Sequence, residues 1–111
     1  MRTIDFETLR EKMTTDHPTT ILLNALEPSY IRRFQIPNSL SILRKKDILN
    51  QLSPDDEIVV YCSDRACNAS INLYYLLEHL GYRNIFRYPG GLMEWDNKGQ
   101  ALEEIYTSSA A

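Results

Sequence analysis

A chain of 111 residues carrying 12 Lys+Arg against 15 Asp+Glu, formal charge −3, has the size of one ordinary domain. It can bury a core without metals or disulfide staples, and its scattered basic residues, apart from Arg44-Lys45-Lys46, exclude a nucleic-acid or anionic-membrane surface. The apolar runs are strand-sized and the amino terminus lacks a secretion-signal pattern. A soluble, cytoplasmic chain is therefore expected, with its two cysteines serving as chemical groups or small core residues.

In chain order, Asp5 is placed to cap a helix over Phe6 to Met13, with Ile4 positioned to staple onto Leu9. Thr19-Thr20-Ile21-Leu22-Leu23 reads as a strand buried on both faces. Glu27-Pro28-Ser29 is a turn into a short helix around Tyr30 to Phe34, and Pro37 breaks the chain at Ile36-Pro37-Asn38-Ser39. Leu40 to Leu43 forms a short extended piece. A helix near Lys45 to Gln51 and a polar turn at Ser53 to Asp56 then lead to the strand Glu57 to Tyr61.

The second half is more strongly patterned. Ala69, Leu73, Leu76, Leu77 and Leu80 recur at spacings of three and four, which predicts an amphipathic helix ended by Gly81 in the left-handed conformation. Asn84 to Tyr88 is a strand, Pro89-Gly90-Gly91 a turn, and Leu92 to Lys98 a last helix anchored by Trp95. Tyr74-Tyr75 covers core and rim, whereas His17 and His79 read as solvated surface residues. Apolar strands alternating with helices predict a single α/β domain, 1–111, with a parallel sheet between two helical layers.

In such sheets the reactive crevice lies beyond the carboxyl ends of the strands, where Cys62 falls. A thiol there faces the amino end of the next helix, whose unpaired N–H groups and dipole favour an anion. A free thiol titrates at about 8.5, and a helix terminus is worth about one pH unit at most, so loop amides must supply further stabilisation of a thiolate.

The strand ending Tyr61-Cys62, the helix ending Leu80-Gly81-Tyr82, the strand Asn84-Ile85-Phe86-Arg87-Tyr88 and Gly90-Gly91-Leu92-Met93-Glu94-Trp95 together resemble the single-domain rhodanese (sulfurtransferase) family. Leu22 to Tyr30 and Ile36-Pro37-Asn38-Ser39 resemble that family's two earlier signatures in weakened form. The resemblance implies a three-layer α/β/α fold around a five-stranded parallel sheet. It also implies that Cys62 is the catalytic cysteine, taking a sulfane sulfur as a persulfide held by the active-site loop. The implied partners are a small sulfane-sulfur donor and a thiol acceptor, either a small molecule or a thioredoxin-like protein; no cofactor is implied.

Several residues depart from the family pattern. The loop Ser63-Asp64-Arg65-Ala66-Cys67-Asn68 is longer than the common one, since the helix start arrives only near Ala69-Ser70. Asp64 opposes a thiolate if it points inward, and Arg65 is the loop's one cation. Asn24-Ala25-Leu26 stands where the family has Asp-Val-Arg, a change expected to remove the polar network that braces the ordinary site. Cys67 makes a two-cysteine loop variant, in which it is either a resolving thiol for Cys62 or a small packed residue.

Three function classes follow: a sulfurtransferase or sulfur carrier; a catalytically weak module that senses oxidation or binds a partner through Cys62 and Cys67; and a phosphatase of the related cysteine class. The last needs an arginine six positions after its nucleophile, where this chain has Asn68. A zinc site lacks a third and fourth ligand near the two cysteines. Tyr61 reads as a packing residue under the loop, and Cys62 has no histidine near it in sequence to act as a base.

Overall fold

The computed structural model describes residues 1–16, 18–25, 34–40, 45–63 and 68–104. At the amino end, the Thr8 amide donates to the Asp5 carboxylate at 2.9 Å, which starts α1 (Phe6–Thr14) as its sequence signature requires. That hydrogen bond also holds the Asp5 carboxyl below its ordinary value. Ile4 and Leu9 share one buried cluster, so the expected staple is in place.

Three strands form the central sheet in the order β1 (Ile21–Asn24), β3 (Ile58–Tyr61), β4 (Ile85–Tyr88), all parallel. Five parallel strands were expected from the family resemblance. Among the described residues the sheet instead has these three, widened at its two edges by single parallel bridges, Thr3 to Arg87 and Leu23 to Leu40. The remaining strands, β2 (Phe34–Gln35) and β5 (Glu103–Glu104), form a separate antiparallel pair. Phe34, expected at the end of a helix, is therefore extended; Tyr30 and the rest of that helix lie outside the described residues, as do Ser41 to Leu43 of the short extended piece.

Both faces of the sheet are covered, which is why its strands are apolar without alternation. Leu23, Ile58, Val60 and Ile85 pack under α2 (Lys45–Gln51) and α3 (Ala69–His79), through Ile48, Leu73, Tyr74 and Leu77. Leu22, Val59, Tyr61 and Tyr88 pack under α1 and α4 (Gly91–Asn97), through Phe6, Leu9 and Trp95. Truncating a fully buried leucine such as Leu77 in cores of this kind costs roughly 2–5 kcal/mol.

The end of α3 fastens that helix to α2. Gly81 has φ +97, the Tyr82 amide donates to the Leu77 carbonyl at 3.0 Å, and the Gly81 amide donates to that of Glu78 at 3.1 Å. This is the paired hydrogen bonding of a Schellman ending. It aims the Tyr82 hydroxyl at the carboxyl end of α2, where it donates to the Leu52 carbonyl at 2.8 Å and lies 3.2 Å from that of Ile48. On α3 itself the stripe is rotated from the expected one: Ser70 and Tyr74 are buried alongside Leu73 and Leu77, while Leu76 and Leu80 are only partly covered.

Candidate active site

Cys62 follows the last residue of β3 and is 3 % exposed. Its backbone is fixed from two directions. The Ala25 amide donates to the Tyr61 carbonyl at 2.9 Å, extending the pairing of β1 with β3 to the strand end. From the opposite layer, the first turn of α4 donates the Leu92 amide to the Cys62 carbonyl at 3.0 Å and the Met93 amide to the Ser63 carbonyl at 2.9 Å. These are amides that a helix start leaves unpaired, here satisfied by the beginning of the loop. Because the peptide is planar and trans, the Ser63 N–H points away from α4.

Gly91 makes that grip possible. It has φ +65, and a Cβ there would lie 2.6 Å from the Cys62 carbonyl oxygen. The Gly-Gly pair is thus a clamp on the strand end that bears the candidate thiol.

Beneath the strand end, Tyr61 is fully buried and closes a ring of hydrogen bonds with the Pro37-Asn38 turn. The Ile36 amide donates to the Tyr61 oxygen at 3.0 Å. The Ser39 hydroxyl spends its single proton on the Ile36 carbonyl at 2.5 Å, so across the 2.7 Å contact the Tyr61 hydroxyl donates to Ser39 Oγ. Burial pushes the Tyr61 phenol up to about 12, with Glu103 adding to the effect, against the lowering influence of the Ser39 and Ile36 bonds. It stays a neutral brace at any working pH, in keeping with its expected packing role.

The polar bracing that the Asn24 replacement was expected to remove is present in another form. Asn24 is 1 % exposed at the end of β1, beside Tyr61 in register, and its amide donates to Gln35 Oε1 at 3.1 Å. Gln35 Nε2 in turn donates to Glu103 at 2.6 Å and to the Ser39 carbonyl at 3.3 Å. Gln35 and Glu103 went unnoticed in the sequence because they lie 68 residues apart and meet only through the β2–β5 pair.

Also unanticipated is the bond from Arg87 Nε to Ser70 Oγ at 2.9 Å, with both residues buried. The signal was legible: Arg87 is a cation at an inward position of an apolar strand, two residues from Ile85.

Of the loop residues named from the sequence, Cys62, Ser63 and Asn68 are placed, and Asp64, Arg65, Ala66 and Cys67 lie outside the described residues. Ser63 is buried, its Oγ 4.0 Å from Cys62 Sγ. Asn68 stands at the N-cap of α3 but makes no side-chain capping bond. Cys62 is disulfide-bonded in this structure. His79 is exposed and Trp95 is buried, its Nε1 donating to the Ala101 carbonyl at 3.1 Å, so both behave as expected.

The model of the Rhodanese-like domain family matches residues 6–98, and the chain belongs to that family. Among solved structures it is similar to the BH2092 protein of Bacillus halodurans, at 22 % identity over 92 % of this chain and 76 % of that one, with a TM-score of 0.82. It is similar also to the Alr3790 protein of Anabaena sp., at 19 % identity over 96 % of both chains and a TM-score of 0.82. A rhodanese-related protein of Thermoplasma volcanium matches at 24 % identity over 93 % of this chain and 98 % of that one, with a TM-score of 0.71. At these identities the likeness is one of fold. No curated protein matches the chain.

Proposed function

We propose that the protein is a sulfurtransferase or sulfur carrier in which Cys62 takes a sulfane sulfur as a persulfide. The observation that carries this reading is the placement of Cys62: it directly follows the central strand of a rhodanese-like sheet, gripped by α4 through its own carbonyl, and precedes α3 in the chain. The site must first be reduced, by two electrons and two protons from a dithiol, to free the Cys62 thiol from its disulfide.

With thiosulfate as donor, the Cys62 thiolate attacks the outer sulfur. The donor's S–S bond breaks, sulfite leaves with the electron pair, and Cys62 carries a persulfide anion. A small thiol or a thioredoxin-like protein then attacks that outer sulfur, leaves as its own persulfide and restores the Cys62 thiolate. In this reading the amino end of α3 favours the negative sulfur in both forms. With thiosulfate and dithiothreitol, the reduced wild-type protein is expected to release sulfide steadily, and Cys62→Ser is expected to release none. Equal release from the two proteins would remove Cys62 from the reaction.

The disulfide at Cys62 favours a second reading, since Cys67 is the sequence's one other cysteine. Here the Cys67 thiolate attacks Sγ of the Cys62 persulfide, expels hydrosulfide and forms a Cys62–Cys67 disulfide, so that the module reports sulfur or oxidant instead of transferring sulfur repeatedly. A single equivalent of sulfide released without added thiol, abolished in Cys67→Ser, would favour this role. Stable persulfide in the wild type would oppose it.

A further inference from the structure

A hydroxyl as buried as that of Ser63, a residue 7 % exposed, needs a hydrogen-bonding partner. Among the described residues it has one, Cys62 Sγ at 4.0 Å. Consecutive side chains on a strand point to opposite faces, and these two approach each other because the chain bends at Ser63 as it leaves β3. The bend is held from outside: α4 takes both carbonyls, that of Cys62 through the Leu92 amide and that of Ser63 through the Met93 amide. In the disulfide form Cys62 has no S–H to give, so the hydroxyl is the donor, with a neutral sulfur as acceptor across a long gap. Reduction and ionisation put a full negative charge on that acceptor. Hydrogen bonds to an anion are shorter and roughly twice as strong as neutral ones, and the long bonds of a resting site tighten when the reacting charge arrives.

We propose that the Ser63 hydroxyl is a catalytic group, which donates to Cys62 Sγ and holds it as the thiolate that attacks the sulfur donor. This rests on Cys62 being the sulfur-carrying thiol. The thiol proton passes to solvent and the serine keeps its own, so Ser63 serves the anion as a donor and never as a base. The charged groups on the elements around the strand end form a constant background. β1 and β3 carry none. β4 carries Arg87, bonded to Ser70, and β5 carries Glu103, bonded to Gln35. α3 has no acid in its first turn and keeps Glu78 and His79 exposed at its far end. α2 carries Lys45, Lys46 and Asp47, while α4 carries the exposed Asp96 and Glu94, whose carboxylate lies against Gly90. Asp64 and Arg65 of the loop lie outside the described residues. A substitution at Ser63 alters none of these charges, so a series at that one position isolates the hydroxyl.

The test is the rate of alkylation by neutral iodoacetamide against pH, on reduced protein in a Cys67→Ser background so that one thiol is read. Ser63→Ala should move the midpoint up by about one pH unit. Ser63→Thr keeps a hydroxyl and should stay within a few tenths of the parent, whereas Ser63→Val, with the shape of threonine and no hydroxyl, should move as Ser63→Ala does. Circular dichroism melting establishes that each variant is folded. A serine with only a structural role would change the melting temperature and leave the midpoint in place, so a folded Ser63→Ala that titrates like the parent overturns the proposal. Ser63→Thr shifted as far as Ser63→Val overturns it as well. If Ser63→Ala does not fold, the threonine and valine variants decide; if those do not fold, Ser63→Ala decides. Sulfur uptake from thiosulfate is measured in parallel on the reduced wild type. A midpoint that depends on the hydroxyl in a protein that never takes up sulfur leaves Ser63 as the thiolate's donor and removes sulfur transfer; uptake with an unchanged midpoint does the reverse.

Discussion

The Tyr61 hydroxyl does for the floor of the site what no apolar residue could, by accepting from the buried Ile36 amide and donating to Ser39. Tyr61→Phe keeps the ring and its packing but leaves the Ile36 N–H without its acceptor. The expected cost is roughly 1–3 kcal/mol, read as a lower urea midpoint with an unchanged slope. The sequence announced Tyr61 as a packing residue because aromatic residues at strand ends usually are. Its hydrogen-bonding role could not be read, since the partners belong to a turn 22 and 25 residues upstream whose approach is a tertiary fact. Asn24 teaches a related lesson. Its replacement of the family's aspartate suggested a lost network, but an amide can donate as well as accept, and here it donates to Gln35.

Helix ends carry the clearest consequences at the scale of elements. Gly91→Ala would drive a methyl group into the Cys62 carbonyl at a backbone angle that L-residues avoid, so α4 must withdraw from the strand end. A loss of roughly 1–3 kcal/mol in chemical denaturation is expected, together with slower persulfide formation, because the displaced backbone belongs to the candidate thiol. Tyr82→Phe removes the donor to the carboxyl end of α2 and should cost about 1 kcal/mol without altering sulfur chemistry.

At the opposite end of β3, Glu57 accepts from Thr20 and from Lys12 at 3.1 Å, and these bonds, the Thr20 one foremost, hold its carboxyl below the ordinary glutamate value against the desolvation that raises it. A depressed folded value means the stabilisation is intact above about 4.3, the unfolded value, and is lost as pH falls through the folded one. Urea midpoints between pH 5 and 3 should therefore fall less steeply in Glu57→Gln than in the wild type. α1, α2, α3, α4 and β3 were legible because capping, apolar periodicity and glycine stops are local signals. β2 and β5 were not, because two residues of strand have no periodicity to read and exist only by pairing with each other.

For the molecule as a whole, order and spacing of the motifs identified the rhodanese-like fold, since a parallel sheet between two helical layers leaves its mark along the entire sequence. Among the described residues the expected five parallel strands are three with bridged edges, and Phe34, Gln35, Glu103 and Glu104 form a separate antiparallel pair. That pair carries the Gln35–Glu103 contact to Asn24 at the end of β1, so it is also part of what braces the strand end beside Cys62. No helix among the described residues is long and apolar enough to cross a membrane. The central claim, that Cys62 carries sulfane sulfur, is tested most directly by the intact mass of the reduced protein after incubation with thiosulfate. The wild type should gain one sulfur atom, removable by a thiol reductant and absent from Cys62→Ser. A reduced, folded wild type that gains no sulfur from thiosulfate or any other sulfane donor would contradict it.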